Sequence, residues 1–203
     1  MNALTEKKKS NRFGVRVFDT VLSSKNIVDS VSRNSSAFWR EFCYASAWDF
    51  SYERVHSIAD LKHLLGRVIK ENIMIFSGHG SPDAWHLTNG EELTPKTAKE
   101  IRVHPKNFGK TIIFSSCYMA KNTKQCQEFR DVFRARELLT YYELMYDQYC
   151  FLNESILLTL MHKNKNRAIS QFDFVKFKSL TDFMKTLNKK GAKRHPMEIF
   201  TAK

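Results

Sequence analysis

The period of the apolar positions changes from segment to segment along the chain, and the changes mark out alternating strands and helices. Residues 14–22, GVRVFDTVL, predict a first strand. Residues 26–47 carry Ile27, Val28, Val31, Phe38, Phe42 and Tyr44 at helix-compatible spacings across a Ser-rich middle. YERVHS at 52–57 predicts a short strand. Residues 57–70 predict an amphipathic helix, with Ser57 as its cap and Ile58, Leu61, Leu64, Leu65, Val68 and Ile69 in one stripe. Residues 94–104 predict another, with Thr94 as cap and Pro95 at the first helical position. NFGK at 107–110 is a turn. Residues 123–138 and 150–163 are helical by pattern, and the aromatic segment 138–146 is β-prone. QFDFVKF at 171–177 alternates as an edge strand would, and 180–190 predicts a last helix.

Two segments break from amphipathic patterning. In NIMIFSGHG (72–80) and TIIFSSC (111–117) an unbroken apolar run, 73–76 and 112–114, ends where the sequence turns abruptly to small and polar residues. A strand that is apolar on both faces belongs in the middle of a parallel sheet covered by helices on either side. The fold class expected is therefore α/β: a three-layer α/β/α sandwich with a mostly parallel central sheet. Residues 1–12 read as a loose basic extension. Residues 13–203 read as a single domain with a basic C-terminal segment over 161–203.

Composition narrows the class. The 203 residues are 42% hydrophobic, with sixteen Phe, seven Tyr and three Trp, and only seven Gly and four Pro. This is core-forming material, unlike a low-complexity or disordered chain. No apolar run approaches the roughly 18 residues that a membrane span needs. The basic start of the chain has no apolar segment behind it, so a secretory leader is not expected and a cytoplasmic protein is. The four cysteines (Cys43, Cys117, Cys126, Cys150) lack paired spacing and read as reduced thiols.

The formal net charge is +12, and residues 161–203 hold eleven Lys or Arg against three Asp or Glu. Such a segment either binds nucleic acid or an acidic partner, or is a solvated surface. Its aromatics, Phe172, Phe174, Phe177 and Phe183, follow strand-like spacing, which argues against a base-stacking platform.

The candidate chemistry sits at the ends of the two apolar strands. In parallel sheets functional residues gather beyond the carboxyl ends of the strands. His79 and Cys117 both fall there, on strands joined by one crossover. A cysteine nucleophile reacts as a thiolate, which an imidazole can generate. Backbone N–H groups can hold the oxyanion, and those of Gly80 and Cys117 are the candidates. Ser115 and Ser116 are small enough to leave the thiol accessible, and Ser115 is a candidate for the border of a substrate pocket. Taken singly, a cysteine ending an apolar strand is a small buried hydrophobe and a Gly-His-Gly is a turn. Their order and matching strand ends give the pair its meaning.

FSGHG followed, 38 positions after its histidine, by IIFSSC resembles the signature of the caspase-like cysteine peptidases. These include caspases, metacaspases, legumain-like enzymes, gingipains, separases and bacterial CHAT proteases. The motifs cover roughly 70–120, and element order extends the likeness to 160. The resemblance implies a His79–Cys117 dyad, an oxyanion N–H from Gly80, a protein substrate, a regulatory protein partner and no metal or other cofactor. It implies a bacterial immune (antiviral) or cell-death setting. SSCYM departs from the caspase pattern of a basic residue and Gly after the cysteine and is closer to the CHAT style, so cleavage after Asp is not implied. The segment from Tyr141 to Asp147 corresponds to the wall of the specificity pocket. Asp147 reads either as a selector of basic side chains or as a surface loop residue. Asp83 and His86 read as shapers of a substrate channel, Trp85 as core, and Cys126 as structural. His86 with His79 and a cysteine as metal ligands lacks any paired spacing. Two other readings stay open: a nucleic-acid or acidic-partner binding protein, and a catalytically inactive subunit on the same fold.

Overall fold

The computed structural model describes residues 13–20, 35–169, 174–182 and 195–202. In chain order the elements are β1 (Gly14–Asp19), α1 (Ser35–Ala45), β2 (Asp49–Arg54), α2 (Ile58–Leu65), β3 (Ile73–Ser77), β4 (Trp85–His86), β5 (Glu92–Leu93), α3 (Pro95–Ala98), β6 (Thr111–Ser115), α4 (Thr123–Val132), β7 (Glu137–Tyr141), α5 (Asp147–Lys163), α6 (Phe174–Leu180) and β8 (Met197–Thr201). Six strands form one sheet in the order β2-β1-β3-β6-β7-β8, and β4 and β5 form a separate hairpin. All neighbours in the large sheet are parallel except β8, which runs antiparallel to β7.

The apolar strands lie where their patterning requires. β3 and β6 are adjacent and central, and every residue of both is buried. Side chains alternate between faces, so each strand feeds two cores. Met74 and Phe76 of β3, with Ile112 and Phe114 of β6, pack with Leu61, Leu65, Phe129 and Phe133 of the α2 and α4 side. Ile73, Ile75 and Ile113 pack on the other side with Trp39 and Cys43 of α1, Leu157, Leu158 and Met161 of α5, and Phe177 of α6. These are the three layers of an α/β/α sandwich.

Register links the aromatic residues of the first core. Phe18, Phe76 and Phe114 stand opposite one another on β1, β3 and β6. Their ring centroids are 5.0 Å apart at both steps, and Trp85 meets Phe76 edge-on at 5.5 Å. Cross-strand aromatic pairs of this kind fix register as well as burying area.

Several expected elements are shorter or different. Ser57 caps α2 through a reciprocal pair with Asp60, as its position suggests, but the helix stops at Leu65. Asn107 takes over there: its amide donates to the carbonyls of Leu65 and Arg67 and accepts from the Ile69 N–H. Thr94 and Pro95 do start a helix, which lasts one turn. Residues 174–180 are helix α6, not an edge strand. Phe174 and Phe177 lie three apart, which puts them on one helical face, where their rings stack at 5.6 Å. β8, which closes the sheet, and the β4–β5 hairpin have no counterpart in the sequence reading. The basic extension over 1–12, residues 26–34 of the first expected helix, Phe172, and residues 183–190 of the last one, with Phe183, lie outside the described residues. No helix among the described residues is long and apolar enough to cross a membrane.

If the aromatic row organises the sheet, Phe114→Ala should cost about 3–5 kcal/mol of stability. Val175→Ala, on a side chain 75% exposed, should stay within about 0.5 kcal/mol. Urea unfolding of both variants measures the contrast, and similar midpoints for the two would refute it.

Candidate active site

Beyond the aromatic row the sheet turns polar. Asp19, Ser77 and Ser115 pair across β1, β3 and β6 as their last residues, and all three are fully buried. His79 lies two residues past Ser77, and Cys117 two past Ser115. The register therefore delivers both to the same level above the sheet edge. Each is half-buried, whereas Cys43, Cys126 and Cys150 are buried; none of the four cysteines forms a disulfide. Burial pushes the Cys43 and Cys126 thiols up to about 12, and Cys126 donates to the Met119 carbonyl at 3.2 Å. Cys126 is thus structural.

Glycine holds the two segments together. The Gly78 N–H donates to the Ser115 carbonyl, continuing the β3–β6 ladder by one step. A β-carbon on Gly78 would collide with the Thr20 hydroxyl and press on the Trp85 indole nitrogen. One on Gly80 would sit 2.8 Å from both the Cys117 carbonyl oxygen and the Ser116 β-carbon. The His79–Gly80 segment thus lies directly against the Ser116–Cys117 segment, at a separation that only glycine permits. Gly80 also bridges Trp85 in antiparallel fashion. The bonds of that bridge are made on either side, from Ser81 N–H to the Ala84 carbonyl and from His86 N–H to the His79 carbonyl. Among the described residues the Gly80 N–H itself donates to no acceptor, so it is a donor in reserve beside Cys117.

The segment after β7 covers the thiol. The Met145 N–H points to Cys117 Sγ at 3.3 Å, and the Met145 carbonyl lies 3.7 Å from the same sulfur. The Tyr118 N–H reaches the Glu143 carbonyl, with Tyr118 in the left-handed region at φ 63°. Together these walls enclose a cavity of about 360 Å³, lined by Thr20, Gly78, His79, Cys117 and residues 144–148.

The other sequence candidates distribute as follows. Asp147 lines this cavity, half-buried at the start of α5. Ser115 does not: its side chain is buried in the sheet, beneath the site. Ser116 is buried as well, with its hydroxyl unpartnered. Asp83 and His86 lie outside the lining; Asn122 donates to Asp83 at 3.4 Å, and His86 faces Glu92 at 3.4 Å. Trp85 is wholly buried core. Among the described residues no group of three or more His, Cys, Asp and Glu has the geometry to hold a metal ion. Sequence reading missed Thr20 and the Met145 main chain. Thr20 carries no motif, and a backbone contact leaves no signature in side-chain identity.

Asp19 anchors the neighbouring wall. Its Oδ2 accepts from the Tyr52 hydroxyl at 3.0 Å and from the hydroxyl and N–H of Ser35, which begins α1. Burial raises its pKa above the ordinary carboxylate value, outweighing these bonds and the nearby Arg54, which act the other way.

No family model matches the chain, and no curated protein matches it.

Two outcomes follow from this geometry. Gly80→Ala forces a contact at 2.8 Å to open, so it should cost about 1–3 kcal/mol; an unchanged melting temperature would show that the approach is looser than described. A carboxyl raised in the folded state contributes stability that is full below its unfolded value and lost as pH rises through the folded one. Asp19→Asn should therefore gain on the wild type as pH rises from about 4. Urea titrations across pH measure this, and a constant wild-type-to-variant difference would contradict it.

Proposed function

We propose that the chain is a cysteine endopeptidase of the caspase-like kind, with Cys117 as nucleophile and His79 as its acid–base partner. The observation that carries this reading is that both residues line one cavity, each two positions past paired strand ends. The unengaged Gly80 N–H beside Cys117 supports it further.

On this reading His79 takes the thiol proton, and the Cys117 sulfur attacks the carbonyl carbon of a bound peptide. A C–S bond forms, and the carbonyl π electrons move to oxygen. The N–H groups of Gly80 and Cys117 donate to that oxyanion. Collapse breaks the C–N bond, and His79 hands its proton to the departing amine. Water, deprotonated by His79, then attacks the thioester and releases the acid and the free thiol. The protons balance without a metal or cofactor. The partners are a protein substrate and a regulatory protein that restrains the enzyme, within the cytoplasm of a cell using it in antiviral immunity or programmed death.

Cys117→Ala should abolish cleavage and His79→Ala should lower it by about 10⁴-fold or more. Both should keep stability within about 1 kcal/mol, because each side chain is only half-buried. Comparing cleaved proteins generated by wild type and by Cys117→Ala in a cell extract tests this. Equal cleavage patterns would reject the assignment.

A further inference from the structure

The opposite end of the sheet, where the parallel strands begin, holds a second cavity of about 200 Å³. It is lined by Phe13, Asn72, residues 108–110, Arg136 and Asn166. These residues lie at the starts of β1, β3, β6 and β7 and just after α5, across the sheet from His79 and Cys117. Two cations, Lys110 and Arg136, meet there. Arg136 donates through Nη1 to the Asn166 carbonyl and through Nη2 to the Thr111 hydroxyl, both at 2.8 Å, and faces Glu137 at 3.4 Å. Its Nε–H is buried and has no acceptor among the described residues. Lys110 donates to the Glu71 carbonyl, which uses one of the three N–H bonds of an ammonium. Asn72 Oδ1 accepts from the Gly14 N–H, which leaves its NH2 group without an acceptor among the described residues. Asn166 Oδ1 is the converse case, a buried acceptor with no donor.

We propose that this cavity binds a single inorganic phosphate ion. The site is independent of the endopeptidase reading. Buried polar atoms without partners are costly, so an open donor and an open acceptor in one cavity point to a group that serves both. Phosphate does so at neutral pH, because its ionised oxygens accept while it keeps at least one O–H. Its oxygens take hydrogen bonds from Arg136 Nε, Lys110 Nζ and Asn72 Nδ2, and its O–H donates to Asn166 Oδ1. Sulfate is similar in size and charge but has no O–H, so it leaves the Asn166 acceptor unmet. The volume of about 200 Å³ lies below that of ordinary small-molecule sites, which suits an ion better than a nucleotide.

Selection at this site rests on hydrogen bonding more than on net charge. Glu71, bonded to Arg16 and Ser51, stands near Lys110. Glu137, bonded to Thr111 and to the Ile169 N–H, stands beside Arg136. Two carboxylates thus balance the two cations, and an indiscriminate attraction for every anion is not expected. Asn166 has a φ of 60°, a left-handed angle that glycine also adopts. Its side chain can therefore be removed while the backbone carbonyl that holds Arg136 stays in place.

Isothermal titration calorimetry of the full chain with sodium phosphate, sodium sulfate and glycerol phosphate, at neutral pH and constant ionic strength, tests this. Phosphate should bind one to one and about tenfold or more tighter than sulfate. It should also raise the melting temperature once its concentration passes the dissociation constant. Glycerol phosphate, which keeps no O–H on its phosphate once doubly ionised, should bind no better than sulfate. Asn166→Gly should bring phosphate and sulfate together, and Lys110→Gln should weaken both by about tenfold. Melting curves without added anion show that each variant keeps its fold. Equal binding of phosphate and sulfate by the wild type, or a preference for phosphate that survives in folded Asn166→Gly, would overturn the assignment. Tighter binding of glycerol phosphate than of phosphate would overturn it too, and would mark a site for the phosphate group of a larger molecule. If no anion binds at millimolar concentration, the cavity holds water only and the proposal fails.

Discussion

The row of Phe18, Phe76 and Phe114 is the contact on which the rest of the structure depends. A parallel sheet has little intrinsic means of choosing its register, because its hydrogen bonds are evenly spaced. Three large rings at 5.0 Å intervals remove that freedom. A slip of one residue would turn each ring to the opposite face and set the apolar residues of that face among α2 and α4. Once the rings are aligned, everything beyond them is aligned too. Asp19, Ser77 and Ser115 form the next row, and His79 and Cys117 emerge at matching height.

This explains why the two central strands were legible in the sequence. Phe76-Ser77 and Phe114-Ser115 are both followed, after one small residue, by the residue of interest, and the offset between the two copies is the same 38 positions throughout. The continuous apolar character of IMIF and TIIF came from burial on both faces, which leaves no alternation to misread. The edges of the fold were harder. β8 is half-exposed along most of its length and follows a strongly basic stretch, so nothing in its pattern marks it as a strand until β7 supplies a partner. Phe174 and Phe177 could serve an edge strand or a helix, and the sequence around them has too few apolar positions to decide. Tertiary packing of Phe177 into the core of α1 and α5 decides for the helix.

The site was legible in its side chains and hidden in its backbone. His79, Gly80, Cys117 and Asp147 are all visible by residue type. The contacts that organise them run through main-chain atoms: the Gly78 N–H on the Ser115 carbonyl, the Gly80 backbone against the Cys117 carbonyl, and the Met145 peptide on the Cys117 sulfur. Sequence registers such contacts only where they exclude a side chain, which is why the glycines stood out and Met145 did not. The small size of Ser115, by contrast, reflects close packing within the sheet and not a pocket, since its side chain is sealed beneath the site.

The segment joining β7 to α5 has a double position that links reactivity to selection. Its Met145 N–H faces Cys117 Sγ, while the Met145 carbonyl is an acceptor for the thiol hydrogen. An N–H directed at sulfur favours the thiolate; a carbonyl in the same place favours the thiol. The two groups belong to consecutive peptide units, so the balance between them is set by the backbone angles at Met145. The residues on either side of Met145, Leu144 and Tyr146, are exposed and line the cavity, and Asp147 follows at the start of α5. A group that packs against Leu144 and Tyr146 therefore acts on the same short stretch of backbone that sets the state of the sulfur. On the endopeptidase reading, occupancy of the cavity and readiness of the nucleophile are coupled through residues 144–147. The coupling needs no distant relay, because the wall of the cavity and the hydrogen-bond partner of the thiol are consecutive residues.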